Sequence, residues 1–429
     1  WSAALDQLAS HSGLDEDEDE DRARRLFIVA AGNVPDGASH GEMSDPDEHP
    51  VEDPGQSWNA LTIGGSTDLT EIAEHDLAGW TPFAAAGEKS PYSRCSTDWR
   101  QGRSPIKPEL VLEAGNRAVS PSQGEISSGV DSLSVLTTRN DAGGRLLDTM
   151  WATSASAAQA AAMAGAITAE NENFWPETVR ALLVHSARWT VAMRHRLEME
   201  TKSERYRLLR QFGYGVPDLE RALRSARSDV ALISQSTIRP YCKRPNRGAS
   251  FKECHVYELP WPLGRLEELG NREVELKVTL SYFIEPAPGQ LAPIRPDRYR
   301  SAGLRFDLKR TGEPFHEFLA RKNRLDQDGE DDIGAYTDTR WLLDQRTGSV
   351  GSLHTNTWIG PAAELLDRNA LVVYPVMGWW RDRASLGKID SDLPYSLVIS
   401  LRSSDASVDI YSEIETAIGI ALEAAEIQT

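Results

Sequence analysis

Two residues of this chain sit where side-chain chemistry is easiest to perform. Ser154 lies in Ala152-Thr153-Ser154-Ala155-Ser156-Ala157, at the head of an alanine-rich run. A serine hydroxyl is best used as a nucleophile at a helix amino terminus. There, unpaired backbone N–H groups and the positive dipole end favour a developing oxyanion. Thr153 reads as the cap of that helix, and Ser156 is the nearest competitor for the role. Asn33 closes Leu26-Phe27-Ile28-Val29-Ala30-Ala31-Gly32-Asn33, where a loop can aim its carboxamide into a cleft. Each signal is weak alone. A serine at a helix start is more often a plain N-cap, and Gly-Asn after a strand is usually a turn.

The elements that must hold these residues can be read from pattern. Leu26 to Ala31 is a short continuous apolar run, as in a strand buried on both faces. Leu61-Thr62-Ile63-Gly64-Gly65 and Glu109 to Glu113 look alike. The long Gly-, Pro- and Asp-rich stretch from Pro35 to Gly55 suggests functional loops. Ser154 to Glu170 predicts a helix with small side chains that packs closely. A second helix opens at Pro176, a favoured first-turn residue, and charged helical sequence runs from Arg194 to Arg210. Gly213-Tyr214-Gly215-Val216-Pro217 is a turn before a short helix from Leu219 to Ala226. Near residue 232 a period of two takes over: Val274, Leu276, Val278, Leu280 and Tyr282 alternate with polar residues. So do segments around Phe306, Ile399 and Val408–Ile410, as in an antiparallel sandwich.

In this order and spacing, the pieces around Asn33, around Ser57 to Gly65 with Lys107 to Val111, and around Ser154 resemble the carboxyl-terminal half of subtilisin-like serine peptidases. Gly213 to Asp218 resembles the turn that closes that catalytic domain. Cys254 to Pro262 and Val278 to Pro286 look like a bacterial subgroup with a β-rich carboxyl-terminal domain, often encoded beside an AAA-type ATPase. The resemblance implies a serine endopeptidase with Ser154 as nucleophile and Asn33 in the oxyanion hole. It implies a fold class of α/β, a parallel sheet flanked by helices over residues 1–232, then an all-β antiparallel sandwich or jelly roll over 233–429. It implies a polypeptide substrate, and an AAA-type ATPase as a partner. The alternative it leaves open is a weak or inactive subtilase-like regulator.

The family's triad runs Asp, His, Ser along the chain, and neither the Asp nor the His motif occurs here. His40-Gly41 continues into Glu42-Met43-Ser44 as a loop, and His185 reads as a packed helix residue. The chain opens at Trp1, directly before the Asn33 strand. The Asp, the His and the remaining strands are therefore expected on an upstream segment outside this numbering. Ala152 stands where the family usually has Gly, which questions the geometry of the oxyanion hole.

Composition limits the rest. The 429 residues carry a net charge of −19, which disfavours nucleic acid. No apolar stretch is long enough to span a membrane. Three cysteines, Cys95, Cys242 and Cys254, fit a reducing, cytoplasmic setting. Cys242 and Cys254 flank a basic loop and could face each other in a hairpin. No Cys/His cluster has zinc spacing. The acidic run Asp15 to Asp21 lacks the turn residues of a calcium loop, so no metal or cofactor is expected. Trp261, Trp379 and Trp380 read mainly as core. Trp358, Trp379 and Trp380 are also candidates for an exposed partner patch, and removing 233–429 is expected to leave the site chemistry intact.

Overall fold

The computed structural model describes residues 1–10, 24–99, 104–122, 124–141, 143–199, 202–226, 231–244, 248–289, 296–325, 338–343, 350–403 and 422–426. The acidic run 15–21 and the segment around Val408 and Ile410 lie outside them. The fold is mixed α/β with several antiparallel sheets.

Helix α1 (Ser2–Ser10) precedes strand β1 (Ile28–Ala30), which runs parallel to β2 (Leu61–Thr67) with Ile28 opposite Leu61. Every residue of β2 is buried, as its apolar run requires. Short β3 (Thr81–Pro82) and β4 (Glu88–Lys89) follow, then β5 (Leu110–Glu113). β5 is parallel to β2, Ile63 opposite Leu110, and β4 closes the end of β2 antiparallel. Gly64 and Gly65 let β5 approach: a Cβ on Gly64 would fall 2.6 Å from Pro108 Cγ, and one on Gly65 2.5 Å from Ala114 Cβ. Strands β6 (Ala118–Val119) and β7 (Ile126–Ser127) join β3 in a small ribbon, and β8 (Val135–Thr138) pairs with β9 (Leu147–Met150) as a hairpin.

Segment His40–Ser44 is a helix, α2, not the loop expected. Its signal is in the sequence: Ser39 and Glu42 form a capping box, each satisfying an orphan backbone donor of the other's turn. Helix α3 (Thr153–Glu170) follows β9, and α4 (Pro176–Ser186) begins with its proline in the first turn. The charged stretch forms two helices, α5 (Val191–Met199) and α6 (Lys202–Phe212). α7 (Leu219–Ala226) has the expected bounds. Ala160, Ala164 and Ile167 of α3 join Leu61, Ile63, Leu110 and Leu112 in one core.

From Ala231 onward the strands pair antiparallel: β10 (Ala231–Ile238), β11 (Tyr241–Arg244), β12 (Gly248–Phe251), β13 (Glu253–Glu258), β14 (Glu273–Tyr282), β15 (Gly303–Leu308), β16 (Leu353–Pro361), β17 (Ala370–Val376), β18 (Leu393–Ser403) and β19 (Leu422–Glu426), with helices such as Leu263–Leu269 and Phe315–Leu325 between them, so the region is not the all-β one expected. Eight of them form two four-stranded sheets, β10-β18-β14-β16 and β15-β17-β13-β19, and β11 pairs with β12 as a separate hairpin. Leu276, Leu280, Leu397 and Ile399 of one meet Val256, Leu304, Leu371 and Val373 of the other in a shared core.

The second face of β14 is not solvated as the alternation suggested. From Leu276 to Tyr282 every residue is buried, because α4 lies across it. Glu177 through Ser186 of α4 are all buried in turn. The polar positions of β14 meet polar groups of α4. Lys277 Nζ donates to the carbonyls of Val184, His185 and Ala187. His185 sits between Thr279 and Ser400, at 2.9 and 2.7 Å. Arg180 donates to Ser281 Oγ and to the carbonyls of Asn59, Tyr282 and Ser352. Burial lowers Arg180 to about 10 and holds the Lys277 ammonium well below the usual lysine range.

The tryptophan patch is also corrected. Trp358, Trp379 and Trp380 are 0, 2 and 5% exposed, with ring N–H groups bonded to Asp338 and Glu285. Cys242 stands opposite Ser250 rather than Cys254, and none of the three cysteines is in a disulfide.

Candidate active site

Asn33 is placed by backbone on both sides. Ala31 N–H donates to Ile63 O at 2.8 Å and Val34 N–H to Tyr92 O at 2.9 Å, while Arg94 Nε donates to Asn33 O. Gly32 reaches this turn at φ +94°, and a Cβ there would press 3.0 Å from Arg94 Cδ.

The Asn33 side chain then bridges to α3, 120 residues away. Its Oδ1 accepts from Thr153 N at 3.1 Å and from Thr153 Oγ1 at 2.6 Å. Thr153 is therefore not the cap. The cap position belongs to Ala152, which has no side-chain acceptor to offer, and the carboxamide of Asn33 supplies the missing one. With Oδ1 so engaged, the Asn33 amide Nδ2 carries no hydrogen bond among the described residues.

Ser154 is the second residue of α3 and is exposed. Neither its Oγ nor its backbone N–H is hydrogen-bonded among the described residues. Ser156 faces the other way: fully buried, it donates to the carbonyls of Leu112 and Glu113, tying α3 to β5. It is removed as a competitor. Before the helix, Ala152 takes φ +70° and ψ 179°, a region open to glycine and costly for other residues. Its N–H donates to Ala114 O at 2.7 Å.

No described histidine is hydrogen-bonded to Ser154. His40 is near Ser44 and packs its ring on Phe83. His255 and His354 bond Tyr395 and Tyr282. His185 is driven well below the usual imidazole range, first by burial and then by Lys277, so it is a neutral packed ring. Among the described residues no group of three or more His, Cys, Asp or Glu could hold a metal, and no helix is long and apolar enough to cross a membrane.

The sequence model of the subtilase family matches residues 1–215. The chain belongs to the subtilase family. The uncharacterized protein y4bN of Sinorhizobium fredii is 29% identical over 345 residues, 77% of this chain and 71% of that one. Solved structures it resembles include MycP1 from Mycobacterium smegmatis, at 15% identity over 46% of this chain and 41% of that one, with a TM-score of 0.22. A protease from Pseudoalteromonas arctica gives 13% identity over 52% of this chain and 57% of that one, with a TM-score of 0.28. The chain spans about half the length of these solved proteins. The superpositions are too loose to place any residue. Membership of the family makes this a subtilase-type serine peptidase chain in general terms. Ser154 and Asn33 stand on their own geometry.

Proposed function

We propose that this chain carries the nucleophile and oxyanion hole of a serine endopeptidase. The observation that carries it is the pairing at α3: Asn33 Oδ1 locked on Thr153, with Nδ2 and the Ser154 N–H both left to donate. A substrate carbonyl oxygen between those two donors would gain charge stabilisation as Ser154 Oγ attacks. Each donor of this kind is worth roughly 10²- to 10³-fold in turnover. The Oγ proton passes to a base and then to the leaving amine as the C–N bond breaks; water hydrolyses the resulting acyl-serine. The base is a His–Asp pair on a segment outside this numbering. β1 has one paired edge and one open edge among the described residues, and an open parallel edge invites a further strand. We propose a catalytic half over 1–232 and a β-sandwich over 233–429. An AAA-type ATPase remains a proposed partner, without the tryptophans as its surface.

A second reading, a weak or inactive subtilase-like regulator, is favoured by Ala152 and by the lack of a histidine on Ser154 among the described residues. Labelling the full gene product with a fluorophosphonate probe separates them. The expected result is label on Ser154, lost in Ser154→Ala. No label under conditions that label a control subtilase overturns the peptidase reading.

A further inference from the structure

A cavity of about 250 Å³ lies where α2, β4 and the ends of α5 and α6 converge, and neither Ser154 nor Asn33 lines it. Met43, Phe83 and Pro91 give it an apolar wall, and Lys89, Arg196 and Gln211 give it a polar one. Lys89 is its distinctive feature. An ammonium has three donors, and Lys89 Nζ spends one, on Ser93 O at 3.1 Å. It has no ion-pair partner among the described residues. The neighbouring carboxylate, Glu88, is bound to Arg196 at 3.0 Å. After burial, the groups that act on the Lys89 amine are the Cys95 thiol and two cations, Arg196 and Arg117; no carboxylate is among them. The charged residues of the wall therefore leave one positive charge over, in a chain of net charge −19. A half-buried ammonium with unused donors can take an anionic acceptor.

We propose that this cavity binds a carboxylate with a short apolar body, its head on Lys89 and its body against Met43 and Phe83. The carboxylate is either a glutamate side chain of a bound polypeptide or a free small carboxylic acid. The site does not depend on Ser154 being a nucleophile, so its test is a binding test.

The probe is 3-phenylpropionate, titrated into the whole chain by calorimetry, with the neutral 3-phenylpropanamide as control. The acid is expected to bind, and the amide at least about tenfold more weakly, as for loss of a charge-assisted hydrogen bond. Lys89→Met should weaken the acid by a similar factor at an unchanged melting temperature, and Lys89→Arg should keep most of the affinity. Displacement of the probe by a Glu-containing peptide but not by its Gln counterpart, measured in Ser154→Ala, assigns the polypeptide source. Failure of both to displace it assigns the free acid. No binding of the acid at millimolar concentration, or equal binding of acid and amide, or an unaffected Lys89→Met, overturns the proposal.

Discussion

Helices α3 and α4 are consecutive, and they are opposite in how they treat their polar groups. α4 is buried along its length, and most of its polar side chains are matched: Arg180 by carbonyls from both regions, His185 by two hydroxyls, and its carboxyl-terminal carbonyls by Lys277, with the buried Glu177 carboxylate, which faces Arg24, the exception. α3 has a cap residue in a strained conformation and, among buried neighbours at its start, one exposed serine with no partner among the described residues. An exposed serine with an unspent backbone N–H is what the proposed oxyanion hole requires at this helix start. The same contrast gives the β region its role. Its sheet completes the burial of α4, so it is part of the packing that holds the site's scaffold and not a separable appendage.

The largest effect should come from breaking α4. Arg180→Met takes a charged donor away from Ser281 Oγ and from the carbonyls of Asn59, Tyr282 and Ser352, of which Ser352 O keeps the Tyr282 N–H. The expected cost is on the order of 3–5 kcal/mol, read by denaturant unfolding, whereas Ser154→Ala should change stability by less than about 0.5 kcal/mol. Removing 233–429 uncovers the same helix and should abolish folding, contrary to the expectation drawn from sequence. A cost under about 1 kcal/mol for Arg180→Met, or a folded truncated product, would show that α4 does not need the seam.

That contrast also marks how far the sequence can be read. Continuous apolar runs locate β1, β2 and β5, Pro176 locates α4, and the change of period near residue 232 locates β10. Ser154 and Asn33 are legible because a helix start and a strand end are local features. What is hidden is contact between distant residues. Nothing near Asn33 says that its carboxamide caps a helix 120 positions later. The alternation of β14 suggests a solvated face because period two reports polarity, and Lys277, Thr279 and Ser281 are polar yet buried under α4. The tryptophans mislead for the same reason: enrichment at interfaces and enrichment in cores look identical until packing is known. The box of Ser39 and Glu42 is different. It is a local signal, and reading His40 as the start of a loop overlooks it.

The next effect belongs to α3. Asn33→Asp keeps an acceptor for Thr153 and places a negative charge where the helix dipole favours it. It removes the Nδ2 donor. Melting should change little while turnover of a fluorogenic peptide by the full gene product falls about 10²- to 10³-fold. Asn33→Ala should lose the same turnover and in addition about 1 kcal/mol of capping. Normal turnover in Asn33→Asp would reduce Asn33 to a cap and nothing more.

A smaller effect concerns acid. His185 is held neutral by burial and by Lys277, with Arg188, Arg402 and Arg221 also facing it. Its folded value lies below its unfolded one of about 6.5. Stability is therefore complete above that pH and is lost as the pH falls towards the folded value, by up to about 1.4 kcal/mol per pH unit. His185→Gln keeps both a donor and an acceptor and should flatten the loss between about pH 7 and 5. An identical acid slope in the variant would assign the loss to other groups.

The smallest effect is at Ala152. A non-glycine residue at φ +70° and ψ 179° costs about 1–3 kcal/mol, and Ala152 is held there by its bond to Ala114 and by Thr153 on Asn33. Ala152→Gly removes the Cβ conflict. It also frees the unfolded chain, at a cost of roughly 0.4–1 kcal/mol, so the net gain is about 1 kcal/mol and the melting midpoint rises. Because the same bonds fix Thr153 and Ser154 from both sides, the helix start should not move and turnover should stay level. A rise in turnover would mean that the Ala152 Cβ distorts the oxyanion hole, which is the physical content of the weak-enzyme reading. A fall in the melting midpoint would mean that the surrounding packing has adapted to the methyl group. The contrast between a strained α3 and a relaxed α4 would then rest on the unpartnered serine alone.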